Sequence, residues 1–270
     1  MNTAKRKYRR WFAPEVVQTS AMDCGPASLK CLLEGFHIPV SYGRLREACQ
    51  TSVDGTSIDR IEEVINQLGL SAQQVMLPFD HLFLPSDDVL PAMIVARHPD
   101  GATHFIVIWR RFGSWVQVMD PATGRRWMRI KNLISELYRH EQIVAATDWR
   151  DWAASDEFLS PLSQRLLQSG IALNQIQSLL ERAHSDPEWY GIARLDAALR
   201  LVSSLIAAGG IKAGTHAAEL LENLFSKVDK SDIYRNIPIS YWSVVPQKSD
   251  EGKKQLRLQG AVLLLSLIHI

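Results

Sequence analysis

Cysteine is scarce in this chain: three in 270 residues, Cys24, Cys31 and Cys49. An odd count with no C-x-x-C pair and no paired histidines excludes a disulfide framework and a structural zinc site, and fits a reducing compartment. A surplus of either charge is also missing. The 30 basic and 29 acidic side chains nearly cancel, so bulk electrostatics points to no nucleic-acid partner. No run of about 18 apolar residues occurs, which leaves no bilayer-spanning stretch in the sequence. A phosphate-binding G-x-x-x-x-G-K-[ST] loop is absent as well. The start, Lys5-Arg6-Lys7-Tyr8-Arg9-Arg10, lacks the apolar segment of a secretory signal, so residues 1–12 read as a basic tail in solvent. What remains is an ordinary globular composition, 46% apolar.

Within it, Gln18-Thr19-Ser20-Ala21-Met22-Asp23-Cys24-Gly25-Pro26-Ala27 organises the rest. Proline is favoured at the first helical position, where its missing N–H would be unpaired anyway, and the apolar residues Leu29, Leu32, Leu33 and Phe36 follow at helical spacing. Cys24 is therefore placed at a helix N-terminus, whose unpaired amides and positive dipole end favour a thiolate. Gln18 is positioned to aim an amide N–H at the same spot and to complete an oxyanion hole with the Cys24 N–H. Cys31, two turns on, reads as core.

Downstream, Ser41–Gln50 reads as a short helix. Asp54-Gly55-Thr56 reads as a turn, with Thr56 capping a helix that carries Ile58, Ile61, Ile65 and Leu68. A Pro-punctuated connection, 77–91, leads to a buried strand at Ala92–Ala96. His98-Pro99-Asp100-Gly101 is turn chemistry. The β-branched and aromatic runs His104–Trp109 and Trp115–Asp120 predict a hairpin. Placing Gly113 at the left-handed end of a three-residue loop sets Arg110 opposite Ser114 and His104 opposite Asp120, on the face shared with Ile106, Ile108, Val116 and Val118. A carboxylate beside an imidazole suits a nucleophile's base. Two further strands and a helix complete this part by residue 148. Residues 149–160, polar and aromatic, read as a linker. Residues 161–264 read as a small, mainly helical domain closed by a β-hairpin, with Trp189, Tyr190 and His184 in its core or rim.

The final Leu265-Ser266-Leu267-Ile268-His269-Ile270 stops mid-run on apolar residues and matches an in-frame read of a common sequencing-transposon adapter. A truncated reading frame ending in six non-native residues is expected, and His269 is assigned no role.

With Gln18, Asp23-Cys24-Gly25, His104-Phe105 and Asp120-Pro121 in place, the first half of the chain resembles the bacteriocin-processing cysteine peptidases. These are papain-like domains at the N-terminus of ATP-driven peptide exporters. The family's cysteine motif is matched by Gln18, Asp23, Cys24, Gly25 and Ala27, and its histidine motif by His104, Phe105, Asp120 and Pro121. The resemblance implies an α+β fold, with N-terminal helices packed on an antiparallel sheet over residues 13–148. It implies Cys24 as nucleophile, His104 as base, Asp120 as orienting acid and Gln18 as oxyanion donor, with no metal or other cofactor. The implied substrate is a leader-bearing precursor peptide cut after Gly-Gly or Gly-Ala, at the cytoplasmic face of the bacterial inner membrane. The implied partners are membrane-spanning and ATP-binding transporter domains that these residues do not include. Two alternatives use the same residues: a papain-like acyl transferase, and a leader-docking module without catalysis.

Overall fold

The structure, a computed structural model, describes residues 9–84, 90–98, 101–227, 232–247 and 254–267. The chain forms two compact units, Met1–His140 with Ala261–Ile270, and Glu141–Gly260. Among the described residues no helix is long and apolar enough to cross a membrane.

The first unit opens with three helices, α1 (Cys24–Gly35), α2 (Tyr42–Ala48) and α3 (Ile58–Gln67). Strands β1 (Ser71–Leu77), β2 (Ala92–Arg97), β3 (Thr103–Phe112), β4 (Trp115–Asp120) and β5 (Gly124–Arg129) follow, then helix α4 (Ile130–Glu136). A last strand, β8 (Gln255–Leu267), contributes its residues from Ala261 onward to this unit's sheet. They pair antiparallel with β1 on one side, Val75 opposite Leu263, and with β2 on the other, Ile94 opposite Leu263. The order is β1-β8-β2-β3-β4-β5. This is the helix-on-antiparallel-sheet arrangement expected of a papain-like domain.

Alternation divides the sheet's side chains between two cores. Phe105, Val107, Trp109, Met119 and Leu264 meet Leu29, Leu32 and Leu33 of α1 and Ile61 and Ile65 of α3. Ile106, Ile108, Val116, Val118 and Leu263 meet Leu133, Leu137, Leu82 and Phe83 on the other face. The spacing read for α3 is correct for Ile61 and Ile65, but Leu68 is exposed, and the cap is Ser57, whose side chain accepts from Arg60 N–H, rather than Thr56. Thr56 instead bonds Thr51 across the turn, Oγ1 to Oγ1 at 2.8 Å.

The segment ahead of α1 is not a tail along its whole length. Arg10 N–H donates to Gly35 O (2.9 Å), Trp109 Nε1 donates to Arg10 O (3.1 Å), and Ala13 N–H donates to the buried Gln117 Oε1 (2.7 Å). Buried polar groups of the sheet thus find partners in residues 10–13. Residues 1–8, with Lys5, Arg6 and Lys7, lie outside the described residues, as do residues 268–270 of the expected non-native end; Leu265–Leu267 pair with β1.

Gly35 meets the fully buried Trp109 ring, and a Cβ there would overlap Trp109 Cη2. Gly35→Ala is expected to cost about 1–3 kcal/mol by overpacking, read as a lower urea midpoint at unchanged slope. An unchanged midpoint would mean that the indole shifts without cost.

The second unit holds strand β6 (His140–Ala145, from Glu141), helices α5 (Ala146–Ala153), α6 (Asp156–Gln168), α7 (Leu173–Ser185), α8 (Tyr190–Ala207) and α9 (Thr215–Ser226), and strand β7 (Val244–Gln247) paired with Gln255–Leu258. Residues 149–160, expected as a linker, instead belong mostly to α5 and α6. Their aromatics explain why: Trp149 and Phe158 are buried with rings 5.9 Å apart, and Trp152 lies 5.0 Å from Phe158. The expected helices and terminal hairpin are present; Trp189 is buried and His184 exposed.

Candidate active site

The loop before α1 is fixed by a buried carboxylate. Asp23, fully buried, accepts from Thr19 Oγ1 (2.8 Å) and from Arg46 Nε on α2 (2.9 Å). Its carbonyl accepts the Ala27 N–H (3.0 Å), which starts the helix. Gly25 packs against the turn before α3; a Cβ there would lie 3.1 Å from Thr56 Cβ and 3.2 Å from Ile61 Cδ1. The Asp-Cys-Gly order thus has separate local causes on either side of the cysteine.

Cys24 is the first residue of α1 and is partly exposed, whereas Cys31 and Cys49 are buried. Burial pushes the Cys24 thiol up, against the Phe105, Gly25 and Cys24 N–H groups, which favour the thiolate; the Asp120 charge adds to the rise. The pull of the helix terminus toward a thiolate is thus opposed by desolvation, which outweighs the amides. Cys31 and Cys49, pushed up by burial to about 12 and about 11, are inert core thiols.

Phe105, one of the groups that favour the Cys24 thiolate, is at the start of β3, next in sequence to His104. Ser28 Oγ, one turn along α1, donates to Phe105 O (3.3 Å) and ties helix to strand at the same residue. His104 Nε2 lies 3.4 Å from Asp120 Oδ1, longer than a well-formed hydrogen bond, and both ring nitrogens are buried without a hydrogen-bond partner. Catalytic contacts of this length often tighten only when substrate binds.

The hairpin delivers this pair by a different register from the expected one. Its turn has two residues, Gly113 and Ser114, so Phe112 faces Trp115 and Arg110 faces Gln117; an irregularity between Ile108 and Arg110 then sets Val107 opposite Met119. Continuing that register places Asp120 across from Ile106, one step diagonal to His104 on the same face. Diagonal neighbours remain within reach of long side chains.

Asp120 is buried and held at about 2. Burial raises it, but the adjacent His104 imidazole, the bond from Ala122 N–H (2.9 Å) and the nearby Thr123 side chain outweigh that. Arg126 Nη2 adds a cation 3.6 Å from Oδ2. A carboxylate depressed in the folded state stabilises fully above its unfolded value of about 4 and loses that contribution as pH falls through about 2. The unfolding free energy of the wild type should therefore drop more steeply between pH 4 and pH 2 than that of Asp120→Asn, by urea titration at each pH. Equal slopes would show an unpaired carboxylate in solution.

Gln18 N–H donates to Pro121 O (2.9 Å), joining the cysteine motif to the residue after Asp120. Its side-chain Oε1 is buried without a hydrogen-bond partner. All four residues singled out in the sequence thus fall on connected elements. His98 was read only as part of a turn, yet its ring stacks on that of His104 at 3.8 Å. The signal available was strand parity, since His98 and His104 share a face.

Comparison with known proteins places these residues in context. Residues 13–147 match the model of the peptidase C39 family. The lactococcin-G-processing and transport ATP-binding protein LagD of Lactococcus lactis subsp. lactis is 28% identical over 121 residues, 45% of this chain and 16% of that protein. The pediocin PA-1 transport/processing ATP-binding protein PedD of Pediococcus acidilactici is 24% identical over 113 residues, 42% and 16% of the two chains. Among solved structures, a double glycine motif protease from an AMS/PCAT transporter, in complex with the leader peptide, is 23% identical. That alignment covers 47% of this chain and 89% of the other, with a TM-score of 0.42. The peptidase domain of Streptococcus ComA is 22% identical over 48% and 92% of the chains, with a TM-score of 0.43.

Proposed function

From the premise that this chain belongs to the peptidase C39 family, we propose that residues 13–148 act as a cysteine endopeptidase that removes leader peptides after a Gly-Gly or Gly-Ala pair. One observation carries the assignment of roles. His104 Nε2 lies 3.4 Å from the buried Asp120 Oδ1, and the next residue, Phe105, is tied through its carbonyl to Ser28 Oγ on α1, the helix that Cys24 heads.

A resting thiol needs a base. Nε2 turned to Asp120 leaves Nδ1 to accept the Cys24 proton as sulfur attacks the scissile carbonyl carbon. The oxyanion so formed takes hydrogen bonds from the Gln18 side-chain amide and the Cys24 N–H. The C–N bond then breaks, and His104 passes its proton to the leaving amine. Water, deprotonated by the same imidazole, opens the thioester and returns the thiol. Asp120 holds the imidazole in the tautomer that each step requires.

The relatives bearing this segment are named as processing and transport ATP-binding proteins, and the matched stretch spans 16% of each. We place this chain's substrate accordingly among peptides destined for ATP-driven export, handled at the cytoplasmic face of a membrane. The test is mass spectrometry of leader peptides varied at the two residues before the cut. Cleavage after Gly-Gly and Gly-Ala, but not after Gly-Leu or Leu-Gly, is the expected result. A new amide with an added amine in place of a free carboxylate would show acyl transfer instead.

A further inference from the structure

The base has an aromatic neighbour that the proposed chemistry does not use. The rings of His98 and His104 stack with centroids 3.8 Å apart and planes inclined by 21°. His98 follows β2 directly, and its backbone is pinned: its N–H donates to Ala102 O (2.8 Å), and its carbonyl accepts from Gly101 N–H (2.9 Å). Ala96 pairs with His104 across β2 and β3, so His98 is the diagonal neighbour on the same sheet face.

The His104 ring needs such a constraint. Rotation about the last torsion of histidine is broad, and the 3.4 Å contact to Asp120 fixes one edge atom without fixing the plane. A flat ring against one face does fix it, because rotating the imidazole would drive its edge into its neighbour. We propose that His98 is a positioning residue for His104, whose stacked ring holds the imidazole plane so that Nε2 addresses Asp120 while Nδ1 stays turned to Cys24. This rests on the reading of His104 as base to Cys24.

The experiment compares wild type, His98→Ala, His98→Leu, His98→Phe and His104→Ala by two readouts. The first is kcat and KM on a Gly-Gly leader peptide. The second, which needs no substrate, is the rate of iodoacetamide alkylation of Cys24 at neutral pH, with Cys31 and Cys49 buried. His98→Ala and His98→Leu should lower kcat and the alkylation rate about tenfold with KM nearly unchanged, since misplacing a reacting group costs rate rather than binding. His98→Phe keeps a stacking face and should stay within about threefold of wild type. Full activity in His98→Leu would show that filled volume suffices and would overturn the proposal; so would a His98→Phe variant as slow as His98→Leu. Should His98→Ala fail to fold, His98→Leu against His98→Phe still decides. His104→Ala alkylating like wild type would refute the base itself, and the positioning role with it. Slow His104→Ala with normal His98 variants would refute the positioning role alone.

Discussion

Alanine at position 24 is expected to lower cleavage of a Gly-Gly leader peptide by about four orders of magnitude or more, the loss seen when a covalent nucleophile is removed. The affinity for the same peptide should stay within about twofold, because the thiol contributes little to ground-state binding. The two numbers together decide between a peptidase and a docking module. Cys24 heads α1, where removing one sulfur leaves intact the packing of Leu29, Leu32 and Leu33 beneath it. The Asp23 bonds to Thr19 and Arg46 likewise remain. Loss of cleavage could not then be laid to a displaced helix. Mass spectrometry of the product and isothermal titration of the uncleaved peptide are the measurements. Cleavage persisting in Cys24→Ala would remove the nucleophile assignment. Equal binding with no cleavage even by wild type would leave a module that only docks its peptide.

The second large effect is expected within the helical unit, at residues the proposed chemistry does not use. Asp196 on α8 is fully buried and accepts from Arg165 Nη1 (2.6 Å) and Ser243 Oγ (2.9 Å), with Arg200 Nη2 at 2.8 Å. Two guanidinium groups, 8% and 16% exposed, share this carboxylate. Removing the anion leaves buried cations facing each other, and breaking such a network costs about 3–5 kcal/mol. Asp196→Ala should therefore unfold at much lower urea, followed by the fluorescence of Trp149, Trp152, Trp189 and Trp242. A loss below about 1 kcal/mol would place the three charges in solvent in the working protein. No hydrophobic pattern announces this cluster. Asp196 and Arg200 are one helical turn apart, but Arg165 and Ser243 come from other elements.

That contrast marks what the sequence could and could not reveal. The candidate site residues were legible because local patterns mark them: Pro26 inside a helix start, and β-branched runs around His104 and Asp120. The hairpin register was not. A two-residue turn and an irregularity near Trp109 each shift the pairing, and alternation alone detects neither. The upward push on the Cys24 thiol was not legible because burial depends on the whole fold, whereas the helix terminus is visible locally. Residues 149–160 looked like a linker because their polar half dominates composition, while the aromatic half makes the contacts. Strand β1 had no partner in view, for that partner lies at Ala261–Leu267.

That distant partner sets a timetable. A chain emerging N-terminus first presents β1 and β2 early, yet the strand that fills the gap between them is translated after the whole Glu141–Gly260 unit. Until then both neighbours keep an open edge, the kind that recruits other chains. The helical unit, whose neighbouring helices pair with short connections, has the low contact order that favours quick folding. The unit holding β1 and β2 is accordingly begun before the helical unit and finished after it, and a nascent chain gains its completed sheet only once residues beyond 260 have left the ribosome.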